Sequence, residues 1–259
     1  MDELAALLAS EGFVAAEEEA AELRAAAGGD ERRLHAMVER RRTGEPLAWI
    51  TGTVEFCGLT LAVHPGVYVP RWHTELVAEH AAERLPHDGL AIDACTGCGA
   101  VAATLMARRP HARVLAADID PRAVVNARAN GVDAREGDLF APFAGGGEPR
   151  GGALAHVVVA VVPYVPTRAL PLLQRDTFTF ETALAYDGGD DGLDIVRRAI
   201  REAPLKPQGT LILEIGGAQA GLLEADLEQA AYDDVEELVD EYGDVRGVSA
   251  SKSDRTASK

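Results

Sequence analysis

At 259 residues, 47% of them hydrophobic, the chain has enough apolar material for one large domain with a small appendage. Its longest apolar stretch, residues 157–165, is too short to cross a bilayer, and the acidic start Met1-Asp2-Glu3 is the wrong chemistry for a signal peptide, so a cytoplasmic location without a membrane partner is expected. A formal net charge of −17 repels phosphate backbones and disfavours nucleic acid as a partner.

Residues 1–43 read as a helical appendage. Leu4, Leu7 and Leu8 fall at helix spacing, an Ala/Glu-rich run over 15–27 continues the pattern, and Gly28-Gly29 stops it. Asp30 is the expected N-cap of a second stripe carrying Leu34, Met37 and Val38. The basic clusters Arg32-Arg33 and Arg40 to Arg42 are short and read as solvated helix faces. Residues 44–71 form a hairpin-containing connector, with strand-favouring side chains from Trp49 to Val69, turns at Gly52, Gly58 and Pro65-Gly66, and an end at Pro70-Arg71.

From 72 to 250 helices and strands alternate. A helix over 75–85 precedes a strand at 90–92, a glycine-rich turn at 95–99 and a helix to 108. A strand over 113–117 ends in Asp118, a helix covers 121–130, and a third strand ends near Asp138. After a Gly/Pro-rich loop at 141–152 come a strand over 156–162, a helix over 193–203 and a strand over 210–215. Alternation of this kind predicts an α/β fold with a doubly wound, mostly parallel sheet. Residues 245–250 are expected at a sheet edge, and 251–259 as a fraying tail.

In such sheets a ligand binds outside the carboxyl ends of the strands. Asp93-Ala94-Cys95-Thr96-Gly97-Cys98-Gly99 follows a strand and opens a helix, so its glycines allow close approach to backbone. Asp118 lies about 20 residues further on, where a carboxylate takes ribose hydroxyls. A nicotinamide-binding domain would show the same pair. The loop lacks the third glycine of a pyrophosphate turn, which favours a nucleoside such as S-adenosylmethionine. Asp93, Ala94, Cys95, Thr96, Gly97, Gly99, Asp118, Ile119, Asp138 and Leu139 form the expected cofactor set, with Asp138 either meeting an adenine amino group or capping a helix. Cys95 and Cys98 have redox-motif spacing, but no second pair completes a metal site, and no metal is expected.

The residues from about 40 to 217 resemble the HemK/PrmC family, protein-(glutamine-N5) methyltransferases of the release-factor type. The matches are Gly44-Glu45-Pro46-Leu47, Glu55-Phe56-Cys57-Gly58-Leu59, Pro65-Gly66, Pro70-Arg71 with Thr74-Glu75, the glycine loop and Gly137-Asp138-Leu139-Phe140. They continue through Pro163-Tyr164-Val165-Pro166, Ala185-Tyr186-Asp187-Gly188-Gly189, Asp191-Gly192-Leu193-Asp194 and Glu214-Ile215-Gly216. The resemblance implies a Rossmann-like class I methyltransferase domain using S-adenosylmethionine, behind a helical appendage shorter than the family's. It also implies a catalytic Asn-Pro-Pro-Tyr whose Asn side chain and next carbonyl hold the target amide.

Here that tetrapeptide is Val161-Val162-Pro163-Tyr164. Val161 has no acceptor atom, leaving the Val162 carbonyl, Pro163 and Tyr164 to shape the acceptor site. Positioning is most of the catalysis for so poor a nucleophile as an amide nitrogen. The expected acceptor is therefore a small molecule with a better N, O or carboxylate nucleophile. The alternatives are a protein glutamine, in a release factor or elsewhere, and a cofactor-binding protein without transfer activity. Adenine methylation in DNA fits neither the charge nor the missing Asn. His73, close to the family's site, is the better candidate base; His156, at the far end of its strand, reads as structural.

Overall fold

The computed structural model describes residues 2–144, 154–173 and 179–254. Three helices, α1 (Glu3–Ser10), α2 (Ala16–Ala27) and α3 (Glu31–Arg42), build the appendage. Asp2 and Asp30 cap α1 and α3 by accepting from backbone N–H groups of the first turn, and Gly28 ends α2 in a left-handed conformation. Leu8, Ala20, Leu23 and Met37 close a small separate core. The run Arg40 to Arg42 is consumed internally: Arg40 pairs with Glu45, Arg41 with Glu19, and Arg42 with Glu11 and Glu39.

Trp49 and Ile50 are helical rather than extended. They lie in α4 (Leu47–Thr51), which starts after Pro46 and stops at left-handed Gly52. A helical turn sends Ile50 into the appendage core and Trp49 into the main one, where its Nε1–H donates to the Val67 carbonyl at 2.9 Å. The hairpin is shorter than its strand-favouring residues suggest: β1 (Thr53–Phe56) pairs antiparallel with β2 (Leu59–Ala62) across Cys57-Gly58, both at positive φ. Val67 to Val69 form no strand and run on to α5 (Thr74–Arg84).

Among the described residues the main sheet has seven strands in the order β5-β4-β3-β6-β7-β9-β8. The first five in that order are mutually parallel: β5 (Ala134–Glu136), β4 (Arg113–Asp118), β3 (Leu90–Ala94), β6 (Ala155–Ala160) and β7 (Leu205–Glu214). β9 (Val245–Lys252) runs antiparallel to β7 and carries β8 (Tyr232–Val239) on its outer side. Thus 245–250 is interior, and the strand continues to Lys252, past the expected start of the tail; residues 255–259 lie outside the described residues. The true edge, β8, reads Tyr-Asp-Asp-Val-Glu-Glu-Leu-Val. Its acidic, bulged sequence blunts the edge and also hides the strand from an alternation test.

One face of the sheet packs on α5, α6 (Ala100–Arg108) and α7 (Pro121–Ala129). The other packs on α8 (Asp194–Glu202) and α9 (Glu224–Gln229). Of the loop expected at 141–152, Ala141–Phe143 is a 3-10 turn and 145–152 lies outside the described residues. No described helix is long and apolar enough to cross a membrane.

Candidate active site

Strand order reverses at β3, because β4 lies on one side of it and β6 on the other, and a crevice opens outside their carboxyl ends. Ala94 of β3 is in register with Ala160 of β6. The glycine loop and the Val161 tetrapeptide therefore leave the sheet side by side, and both line one cavity of about 690 Å³.

On the glycine-loop side, Asp93 is buried. Its Oδ2 accepts from Thr96 Oγ1 at 2.6 Å and from the Ala102 N–H at 3.2 Å, whereas Oδ1 has no partner among the described residues. Burial pushes its carboxyl up to about 7. Asp118, at the tip of β4, accepts from the Gly97 and Asp120 N–H groups at 2.9 Å each, and burial raises its carboxyl too. The two loop glycines differ. A Cβ on Gly97 would meet nothing within 4 Å, so that face is open; one on Gly99 would come 3.0 Å from Val132 and 3.1 Å from Ala127.

Asp93, Cys95, Thr96, Gly97, Asp118, Ile119, Asp138 and Leu139 share the cavity wall. Ala94 and Gly99 do not: Ala94 is sealed in the core between the strands, and Gly99 is there to let α6 and α7 approach. Asp138 accepts from Arg198 Nη2 at 2.9 Å, an ion pair from α8 across 60 residues of sequence. Burial pushes the Cys98 thiol up to about 12 and raises that of Cys95, so neither is a thiolate. No group of three or more His, Cys, Asp or Glu among the described residues is placed for a metal.

On the other side, β6 ends at Ala160, so Val161 and Val162 lie beyond the strand rather than in it. Val161 packs partly buried against the core and offers the cavity no hydrogen-bonding side chain. Pro163 and Tyr164 line the same wall. Gln219 Nε2 donates to the Tyr164 carbonyl at 2.9 Å, and the Tyr164 hydroxyl donates to buried Glu214 at 2.9 Å. Burial, reinforced by Glu214, raises the Tyr164 phenol far above its ordinary range and keeps it a donor.

Thr182 and Leu184 to Asp187 form a further wall, held beside the tetrapeptide by an isolated bridge from Asp187 to Val165, the residue that follows it. A Cβ on Gly188 would sit 2.4 Å from the Gly192 carbonyl oxygen and 2.8 Å from that of Pro163, so only glycine permits this fold-back. Glu181, also buried, accepts from the Val69 N–H at 2.9 Å, from Arg71 Nη2 at 2.5 Å and from the Tyr186 hydroxyl. Arg71 also donates to Tyr186 at 2.7 Å and lies over the Tyr68 ring.

His73 lines the cavity at the N-cap of α5, with Nε2 3.4 Å from Glu214 Oε1. His156 is remote from it: Nδ1 accepts from the Leu90 N–H at 2.9 Å and Nε2 faces Lys206, so the ring pins β6 to the start of β3. Tyr68, Glu181, Arg198 and Glu214 are site neighbours that sequence reasoning left without roles. Glu214 stands in a motif already singled out, but its partners are 50 and 141 positions away, and no spacing rule reaches them.

The residues present suit a nucleoside cofactor bearing a cationic centre. Asp93 has an unused buried oxygen, Gly97 has an open face, Asp118 stands at a strand tip, and Ile119 and Leu139 add apolar surface.

No protein-family model matches the chain. A release factor glutamine methyltransferase of Moorella thermoacetica is 42% identical over 236 residues, covering 86% of this chain and 79% of that protein. One from Geobacter sulfurreducens is 39% identical over 192 residues, covering 71% of this chain and 65% of that protein. Among solved structures, a methyltransferase from Pyrococcus furiosus superposes with a TM-score of 0.53 at 17% identity, over 76% of this chain and 90% of that one, a likeness of fold. With a relative of this identity matched over most of its length, the chain belongs to the release factor glutamine methyltransferase family and is an S-adenosylmethionine-dependent methyltransferase.

Proposed function

We propose that this chain methylates a side-chain nitrogen of a protein, with a release-factor glutamine as the first acceptor to test. The observation that carries this reading is the shared cavity, with the glycine loop and the segment Val161 to Tyr164 emerging from adjacent strands in register. S-adenosylmethionine, when bound, supplies a methyl group activated by a sulfonium centre. Asp118 is the residue for its ribose hydroxyls, Asp93 for its cationic end, and Ile119, Asp138 and Leu139 for its base; Gly97 admits it by having no side chain. The Val162 carbonyl accepts from the incoming N–H, while Pro163 and Tyr164 wall the acceptor. Holding the nitrogen in line and excluding water is their contribution.

Val161 favours a second reading. Without the amide acceptor atom, a glutamine is held by fewer contacts, and loss of one preorganised group costs roughly 10²–10³ in rate. A small-molecule acceptor with a better N, O or carboxylate nucleophile needs less help.

Methyl-labelled S-adenosylmethionine, incubated with the protein and an extract of its host, separates the two. Label in a protein of release-factor size, lost when that protein's target glutamine is substituted, is the expected result. Label confined to the small-molecule fraction would overturn the protein reading and establish the second.

A further inference from the structure

Glu214 ends β7 fully buried, yet one of its oxygens is unused. Oε1 accepts from the Tyr164 hydroxyl and lies 3.4 Å from His73 Nε2, while Oε2 has no hydrogen-bond partner among the described residues. A carboxylate out of water with half its acceptor capacity idle is costly, and apolar packing at the end of a strand would have been cheaper. The three groups come from the N-cap of α5, the tip of β7 and the segment after β6. His73 and Tyr164 form cavity wall, and Glu214 stands behind them.

A histidine ring nitrogen 3.4 Å from a buried carboxylate sets the two elements of a base and its orienting group side by side, within ion-pair distance. The pair faces the acceptor site from which Val161 has removed a hydrogen-bond acceptor.

We propose that His73 accepts the proton released by the methylated nitrogen, and that Glu214 is the positioning residue holding its imidazole in the receptive tautomer. The proposal rests on the nitrogen-acceptor reading above. The acceptor nitrogen's lone pair forms the new N–C bond as the S–C bond breaks, its electron pair remaining on sulfur. The nitrogen is then cationic and carries a surplus N–H. Neutral His73 takes that proton on Nδ1 while Nε2 keeps its hydrogen towards Glu214, and the imidazolium later gives the proton to solvent. A carboxylate acceptor has no proton to lose and gains nothing from the pair. The site is thereby biased towards N–H-bearing acceptors.

Two measurements on the full-length protein test this. Nitrogen-15 NMR of the histidine rings, with His73 assigned by its loss in His73→Asn, should show an Nε2–H tautomer in the wild type and a mixture in Glu214→Gln. With the host release factor as probe, His73→Ala should lower kcat about 10²-fold and Glu214→Gln about tenfold, with KM and cofactor Kd within about twofold. Added imidazole should restore at least about tenfold of the His73→Ala loss. An Nδ1–H tautomer in the wild type, a tautomer unchanged in Glu214→Gln, or a His73→Ala defect in KM or Kd without rescue would each overturn the proposal. If the wild type leaves the release factor unmethylated, the glutamine reading falls, and the tautomer and its dependence on Glu214 still decide the pair.

Discussion

The two halves of the cavity are built differently. The glycine-loop half is mostly local, with Asp138, which meets Arg198 across 60 residues, as its long-range member. Asp93, Thr96, Gly97 and Asp118 sit on two adjacent strand–loop units, and their mutual hydrogen bonds span at most 21 residues. The acceptor half is assembled from afar: Glu181 meets Val69 and Arg71 across 112 and 110 residues, and Glu214 meets Tyr164 across 50. A cofactor is the same for a whole class of enzymes, so backbone shape and strand-end carboxylates suffice to bind it. An acceptor has to be chosen, and here the choice is made by side chains that no local pattern brings together.

The largest expected effect lies in the local half. Asp118→Ala removes the carboxylate that fixes the Gly97 and Asp120 N–H groups and is proposed for the ribose. Hydrogen bonds to a charged group contribute about 1.5–3 kcal/mol each, so calorimetry should read a loss of roughly 10²–10³ in cofactor affinity. An affinity within threefold of wild type would remove Asp118 from the cofactor site. Next comes the acceptor half, where Val161→Asn with Val162→Pro should raise glutamine methylation by about 10² while leaving cofactor affinity alone. No gain would mean that Val161 is not what limits the amide reaction.

The same contrast governs what could be read from the sequence. The parallel sheet, the glycine loop and Asp118 were legible because helix–strand alternation and the strand–turn–helix spacing are local signals. Trp49 and Ile50 misled because a five-residue helix bridging two cores has no room for periodicity. β8 was invisible because Asp233, Asp234, Glu236 and Glu237 give an edge strand no apolar alternation. β9 was misplaced for a topological reason: an edge and an interior strand can carry the same residues, and only the position of β8 distinguishes them. In the acceptor half the motifs around Tyr186 and Glu214 were visible. Their roles were not, because a buried carboxylate is defined by the partners that fold onto it.

A smaller effect should come from Glu181→Gln. The carboxylate holds the Val69 N–H, Arg71 and Tyr186, which joins the wall around Tyr186 to the segment before α5. The amide keeps the shape and loses the charge facing Arg71, for a cost of roughly 2 kcal/mol in denaturant unfolding. Because this contact lies wholly in the acceptor half, KM for the acceptor should rise several-fold with cofactor Kd unchanged. A change in Kd alone would mean that the halves are coupled.

The smallest effect is a stability change that depends on pH. Burial raises the Asp93 carboxyl from its ordinary value to about 7, so the folded state holds this proton more tightly than the unfolded chain. The resulting stabilisation is fully present below the unfolded carboxylate range and is lost as pH rises through about 7, where the buried group must ionise. Asp93→Asn keeps a side chain of the same size without that charge. In the cofactor-free protein Tm should therefore rise most at pH 8, less at pH 5 and hardly at all near pH 3, since each kcal/mol is worth about 2–4 °C in a domain of this size. Cofactor affinity should fall in the same variant, because the oxygen left unpartnered in the wild type loses its negative charge. A variant more stable at pH 8 and weaker in binding would show that the local half keeps an ionisable group at a cost to its own stability for the sake of its ligand. Equal Tm gains at all three pH values would show that Asp93 is ionised throughout, with Thr96 and the Ala102 N–H already meeting its charge.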